Sequence, residues 1–225
     1  MYKNYWNLLK EKYRHLLYLK EIGKYDRFTK AEFFRKQGAQ IGEGCAIIVD
    51  TLGQEPYLIK IGNRVTIANF VQFVNHHGET WVCREEDPNV QMFGPIIIDD
   101  NCVIGQSVIL LPNIHIGANC IIGAGSVVVN DIPPNSIAMG VPARVLGSTD
   151  KLKAKAIETW KWQQPPDMEI EPGANWYTSR HFHENRERLR RHLVHLYWEG
   201  GLEQMANQPQ AAKPTTQPTP ETDQR

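Results

Sequence analysis

A six-residue beat constrains the middle of this chain more than any other feature. From Ile98 to Pro133 the sequence reads IDDNCV IGQSVI LLPNIH IGANCI IGAGSV VVNDIP, six hexads without remainder, opened by Ile98, Ile104, Leu110, Ile116, Ile122 and Val128. The fifth positions, Cys102, Val108, Ile114, Cys120, Ser126 and Ile132, are again small or aliphatic. Neither a helix nor a simple alternating strand accommodates such a period. Hexads of this kind predict a parallel β-helix, each hexad supplying one short strand and one corner of a triangular coil. Three hexads, 18 residues, close a coil, so Ile98 stacks on Ile116 and Cys102 on Cys120, with coils about 4.8 Å apart. Gly105, Gly117 and Gly123 follow lead residues, where the expectation is a tight bend that a side chain would obstruct.

The beat begins earlier, at Ile41 (IGEGCA, IIVDTL), and resumes at Ile61 (IGNRVT, IANFVQ, FVNHHG) after a short interruption around Gln54–Tyr57. A longer interruption, residues 79–95 (ETWVCREEDPNVQMFGP), leaves the repeat directly after His76 and His77. A long excursion from a regular solenoid has no scaffold duty and is therefore a candidate for function. The predicted organisation is an N-terminal helical segment over 1–37, a β-helix over 38–147, a C-terminal helical extension over 148–205 and a disordered tail over 206–225, rich in Pro, Gln and Thr. Trp6, Leu9, Tyr13, Leu16 and Leu17 recur at helical spacing and are expected to pack on the open end of the β-helix, with a membrane-surface role as the alternative. Helices are also expected over 148–162, capped by Ser148, Thr149 or Asp150, and over about 178–199, joined by a Pro-rich link.

Lys plus Arg and Asp plus Glu both number 25, so no basic excess argues for nucleic acid. No apolar run approaches a membrane span and the N-terminus is too charged for a signal sequence, so the expectation is a soluble cytoplasmic protein. Cys45, Cys102 and Cys120 fall at inward fifth positions and read as reduced packing residues, leaving Cys83 outside the repeat. His181, His183, His192 and His195 lie among arginines in a C-terminal helix without ligand spacing, so a solvated or packing helix is expected there. His76 stands where the prism gives way to the long loop, and an imidazole is the side chain best suited to exchanging protons near neutral pH. From the residues alone the division of labour between His76 and His77 stays open.

Two stretches, GNRVTIANFVQFVNHHGETWVCRE and PIIIDDNCVIGQSVILLPNIHIGANCIIGAGSVVVNDIPPNSIAMGVPARVL, resemble the hexapeptide-repeat acyltransferases, particularly those that acetylate maltose, galactosides and polysaccharides. The resemblance covers residues 38–147. It implies a mainly β fold, a left-handed parallel β-helix with flanking helices, assembled as a homotrimer with the site between neighbouring prisms. It also implies acetyl-coenzyme A as acyl donor, no required metal, and direct transfer to a sugar or polysaccharide-precursor hydroxyl with His76 as general base. Asn75 is then a candidate for orienting the acceptor or the His, His77 for contacting acceptor, Trp81 for an apolar sugar face and Arg84 for an ionic contact. Gly105, Gln106 and Ala124 match the corners that hold the thioester arm. Asn130 replaces the family's Lys, leaving Arg144 as the candidate for the nucleotide phosphates. Other readings on the same scaffold are an N-acetyltransferase of an amino sugar nucleotide or a xenobiotic, a metal hydratase using His76 or His77 with His115, and a non-catalytic scaffold.

Overall fold

In the computed structural model, residues 2–168 and 182–200 are described, with side chains for 6–168 and 183–200. The C-terminal tail, His181 and most of the Pro-rich link lie outside the described residues. Two compact units divide the chain, Met1–Leu152 and Lys153–Arg225.

The first unit is the prism. One side consists of β1 (Gln40–Ile41), β3 (Ile59–Ile61), β6 (Ile96–Ile98) and β9 (Ile114–Ile116), hydrogen-bonded in that order. A second side holds β2 (Ala46–Ile47), β4 (Thr66–Ile67), β7 (Val103–Ile104), β10 (Ile121–Ile122) and β12 (Ser136–Met139). A third stacks β5 (Gln72–Phe73), β8 (Ile109–Leu110) and β11 (Val127–Val128). The strands of these three sides pair in parallel with the 18-residue register of the hexads: Ile98 opposite Ile116, Ile104 opposite Ile122 and Leu110 opposite Val128. All twelve first and fifth positions of the six hexads are buried. Burying an aliphatic side chain of this size stabilises by about 1.5–3 kcal/mol, so these interior columns hold the prism together. The three repeat cysteines are buried and free, whereas Cys83 is exposed and free. The Cys102 thiol is pushed up by its hydrogen bond with Cys120 and by burial, which keeps it protonated and inert.

The obstruction expected at the glycines after the lead residues is present, but the left-handed backbone of the corners lies elsewhere. Backbone φ is positive not at Gly105, Gly117 or Gly123 but at Asn101, Ser107, Asn113, Asn119 and Gly125, the fourth position of successive hexads. Asn tolerates this left-handed conformation because its short amide bonds locally. Here the amides also form a ladder between coils, Asn101 Nδ2 donating to Asn119 Oδ1 at 2.7 Å and Asn119 Nδ2 to Asn135 Oδ1 at 3.0 Å. The second-position glycines serve close approach instead: a Cβ on Gly105 would lie 2.7 Å from the backbone nitrogen of Ala124.

At the N-terminal end two helices form where one segment was expected, α1 (Tyr2–Ile22) and α2 (Lys30–Lys36). The turn between them is built by Asp26, which accepts the backbone N–H groups of Phe28 and Thr29. The short helix α2, not the stripe of α1, covers the first coil. Its Ala31, Phe33 and Phe34 join the core, and Arg35 donates to the carbonyls of Ile41 and Gly42 at 2.8 and 2.6 Å. Among the described side chains of α1, Tyr18 and Ile22 reach the core cluster, while Trp6, Leu9, Tyr13, Leu16 and Leu17 are exposed. The expected packing of that stripe on the prism is therefore overturned: Tyr18 and Ile22 belong to a different helical face.

At the other end β13 (Arg144–Ser148) returns antiparallel on β12. The helix α3 (Thr149–Gln163) follows, with the Ser148 hydroxyl accepting the Asp150 backbone N–H. In the second unit α4 (Phe182–Trp198) presents Tyr197 to Trp162 and Gln163. No helix among the described residues is long and apolar enough to cross a membrane.

The coils are also tied by Asp100, whose carboxylate accepts the Asn63 backbone N–H at 2.7 Å and its side-chain amide. These bonds, the backbone one first, hold the Asp100 carboxyl below its usual range. A depressed carboxyl contributes stability that is complete above the unfolded value, about 4, and is lost as pH falls through the lower folded value. Melting curves between pH 5 and pH 3 should therefore fall less steeply for Asp100→Asn than for the unaltered chain, and equal slopes would remove Asp100 from the acid response.

Candidate active site

The site is built where the third side of the prism ends. Val74 makes the last ladder contact there, its N–H donating to Leu110 O at 2.9 Å. The chain then departs through Asn75, His76 and His77 into a 3-10 turn, Gly78–Cys83. It returns beside itself: His77 N–H donates to Met92 O, Gly94 N–H donates to Asn75 O, and His76 forms an antiparallel bridge with Phe93. The 79–95 excursion is thus a closed loop whose two feet meet at His76. Thr80, buried, fastens the start of the loop by donating to the His77 carbonyl at 3.0 Å.

The His76 side chain is 37% exposed, and its Nδ1 lies 3.7 Å from the Glu55 carboxylate. Phe93 lies beside the ring, centroids 6.0 Å apart. Glu55 comes from the first interruption of the repeat, 21 residues earlier, and was not among the residues that sequence reasoning singled out. The only signal for it was the interruption itself, an acidic residue in a segment that breaks the beat. Asn75, expected to orient acceptor or His, is instead buried and donates its amide to the Glu55 backbone carbonyl at 2.6 Å. It therefore pins the interruption to the prism.

His77 turns to different partners. Its Nδ1 meets the Glu79 carboxylate at 2.5 Å, and its Nε2 is enclosed with no hydrogen-bond partner. The hydrogen bond with His77, ahead of a backbone N–H, holds the Glu79 carboxyl below the usual range. Of the two adjacent imidazoles His76 is the more open, its side chain 37% exposed against 17% for His77. Trp81 and Arg84 both stand exposed on the loop, the guanidinium 4.0 Å above the indole ring. Arg84 therefore covers one face of the exposed Trp81 ring.

Gly105, Gln106 and Ala124 lie at one prism corner on successive coils. Gly105 N–H donates to Ile122 O, and Gly125 N–H to Gln106 O. Gln106 and Ala124 are exposed there, Asn130 is exposed on a later corner, and Arg144 opens β13 with one guanidinium N–H on the Ala143 carbonyl. This corner precedes the third side of the prism, and His76 follows it. From Phe70, at the equivalent corner one coil earlier, to His76 is six residues of extended chain, roughly 20 Å. One prism therefore sets the imidazole and the corners of Gly105, Gln106 and Ala124 on opposite edges of the same face. His115, on a different face, pairs with Asp99 at 2.9 Å. Among the described residues no three His, Cys, Asp or Glu side chains cluster as a metal site would require.

The repeat carries the family. Residues 95–130 match the model for bacterial transferase hexapeptide (six repeats). Protein CapG of Staphylococcus aureus is 44% identical over 127 residues, 55% of this chain and 74% of that protein. The chain belongs to the bacterial hexapeptide transferases. Within this hexapeptide transferase family, the galactoside O-acetyltransferase of Escherichia coli K12 is 44% identical over 94 residues, 41% of this chain. The chain spans 45% of that relative's length. A solved hexapeptide-repeat acetyltransferase from Vibrio cholerae, complexed with acetyl coenzyme A, aligns over 49% of this chain and 60% of its own, at 28% identity and a TM-score of 0.39.

Proposed function

We propose that this hexapeptide transferase is an acetyl-coenzyme-A-dependent O-acetyltransferase acting on a sugar or polysaccharide-precursor hydroxyl, with His76 as general base. The observation that carries this reading is the open imidazole of His76 at the feet of the long loop, one ring nitrogen facing a buried carboxylate and the ring edge accessible. The galactoside O-acetyltransferase relative supports the reaction class. In the proposed step His76 removes the acceptor hydroxyl proton as the oxygen attacks the thioester carbonyl carbon. The tetrahedral oxyanion then collapses, the carbon–sulfur bond breaks, and the leaving thiolate takes the proton back from the imidazolium. The free thiol and the acetyl ester are the products, with no acyl-enzyme. Trp81 supplies an apolar face for a pyranose ring, Arg84 an ionic contact, and Arg144 the cation for the donor's phosphates.

Because one prism holds the base and the Gln106 corner on opposite edges, the reaction needs a neighbouring prism to bring a second corner to His76, and the reading includes a homotrimer. Sedimentation should give a mass about three times 25.8 kDa, and transfer activity should vanish in any fraction that runs as a monomer. The function itself is tested by thiol release from acetyl-coenzyme A with a panel of mono-, oligo- and nucleotide sugars, with amino sugars as a separate arm. Release with hydroxyl acceptors supports the proposal, release only with amines reassigns it to N-acetylation, and no release with any acceptor overturns it.

A further inference from the structure

Glu55 is difficult to account for as a structural residue. Its side chain is only 12% exposed, and Oε2 is enclosed without any hydrogen-bond partner. Leaving a carboxylate oxygen buried and unbonded costs stability rather than adding it, so the fold gains nothing from a carboxylate there. The backbone nevertheless fixes its position with care. Gly53 adopts φ +85° so that the chain can press against β5, where a Cβ would come 2.6 Å from the Phe73 carbonyl oxygen. Pro56 opens a 3-10 turn, Leu58 N–H donates to Glu55 O, and the same carbonyl accepts the buried Asn75 amide. Three constraints thus converge on one residue whose unbonded oxygen lies 3.7 Å from the Nδ1 of His76.

We propose that Glu55 is a positioning residue for His76: it holds the imidazole in the tautomer protonated at Nδ1, leaving Nε2 bare to accept the acceptor's proton, and it balances the imidazolium formed in that step. The proposal rests on the reading of His76 as general base. The 3.7 Å separation is longer than a hydrogen bond, and closing it by about 1 Å is the kind of tightening that catalytic contacts undergo when substrate binds. The Glu79 carboxylate, the other acidic group near the histidine pair, is occupied by His77 Nδ1. Each imidazole therefore has its own carboxylate, and only the one facing His76 is buried.

The test compares Glu55→Gln, Glu55→Asp and the unaltered full-length protein in two measurements. In steady-state transfer, Glu55→Gln should lower kcat by about 10²-fold or more, as expected when an imidazole is left in the wrong tautomer, with KM for both substrates within about threefold. Glu55→Asp should recover part of kcat by restoring the charge. In nitrogen-15 NMR of histidine-labelled protein, with the His76 signal assigned by its absence from His76→Ala, the unaltered chain should show a protonated Nδ1. Glu55→Gln should shift the population toward protonated Nε2. An unchanged tautomer, a kcat within threefold of the unaltered protein, or a loss carried entirely by KM would overturn the assignment. The spectrum needs no turnover, so an absence of transfer would count against the function while the tautomer alone still decides the role of Glu55.

Discussion

Acceptor-dependent thiol release should fall by about 10²- to 10⁴-fold in His76→Ala, the range that a lost general base removes. The loss should be in kcat, because removing the imidazole takes away proton transfer in the transition state and little of the ground-state binding. The fold should tolerate the change. The His76 ring is part-exposed and its nearest ring neighbour, Phe93, lies 6.0 Å away between centroids, while the feet of the loop are joined through backbone groups that alanine keeps. A melting temperature close to that of the unaltered chain, together with lost turnover, separates a chemical role from a structural one. Retained turnover in His76→Ala would move the base elsewhere. His77→Ala would then be the next variant, although the Glu79 contact and the enclosed Nε2 leave His77 poorly placed to take a proton.

The largest effect on stability is expected at Ile116→Ala, a loss of about 2–5 kcal/mol. Ile116 is fully buried, pairs with Ile98 on the coil before, and bridges Ile132 on the coil after. Its side chain sits in the column Ile41, Ile61, Ile98, Ile116, Ile132, so truncation opens a void between coils whose spacing is fixed by backbone hydrogen bonds. Neighbouring coils cannot collapse into it without breaking those bonds, which puts the cost toward the upper part of the range. Denaturant midpoints measure it, with Leu16→Ser as the contrast: Leu16 is 63% exposed on α1, and a surface change of that kind stays within about 0.5 kcal/mol. A small loss at Ile116 would mean that the coil stack relaxes more freely than its hydrogen-bonded register implies.

How much of this was legible in the sequence follows from the range of each signal. The hexads specify the coil, the register between Ile98 and Ile116, the inward thiols and the corner that carries Gly105, Gln106 and Ala124, because in a solenoid each residue's neighbours are set by the period alone. The exit of the long loop after His76 was equally visible, as a break in that period. Glu55 was not, because its segment has no period and nothing local says which way a short interruption folds. The bond from the Asn75 amide to the Glu55 carbonyl was not legible for the same reason: the group it bonds belongs to that other interruption. The α1 stripe misled because helical spacing shows which residues share a face but not which face the turn after Ile22 presents to the core.

The sequence by itself therefore determined the prism, its register and the imidazole that stands where the prism ends, since a repeat converts local order directly into contacts between coils. Only the tertiary structure decided that α2 and Arg35 close the first coil, that left-handed corners fall on Asn and Ser rather than on the second-position glycines, and that a buried carboxylate faces His76. Those features depend on two non-repeating segments meeting in space, and meeting depends on the geometry of everything between them.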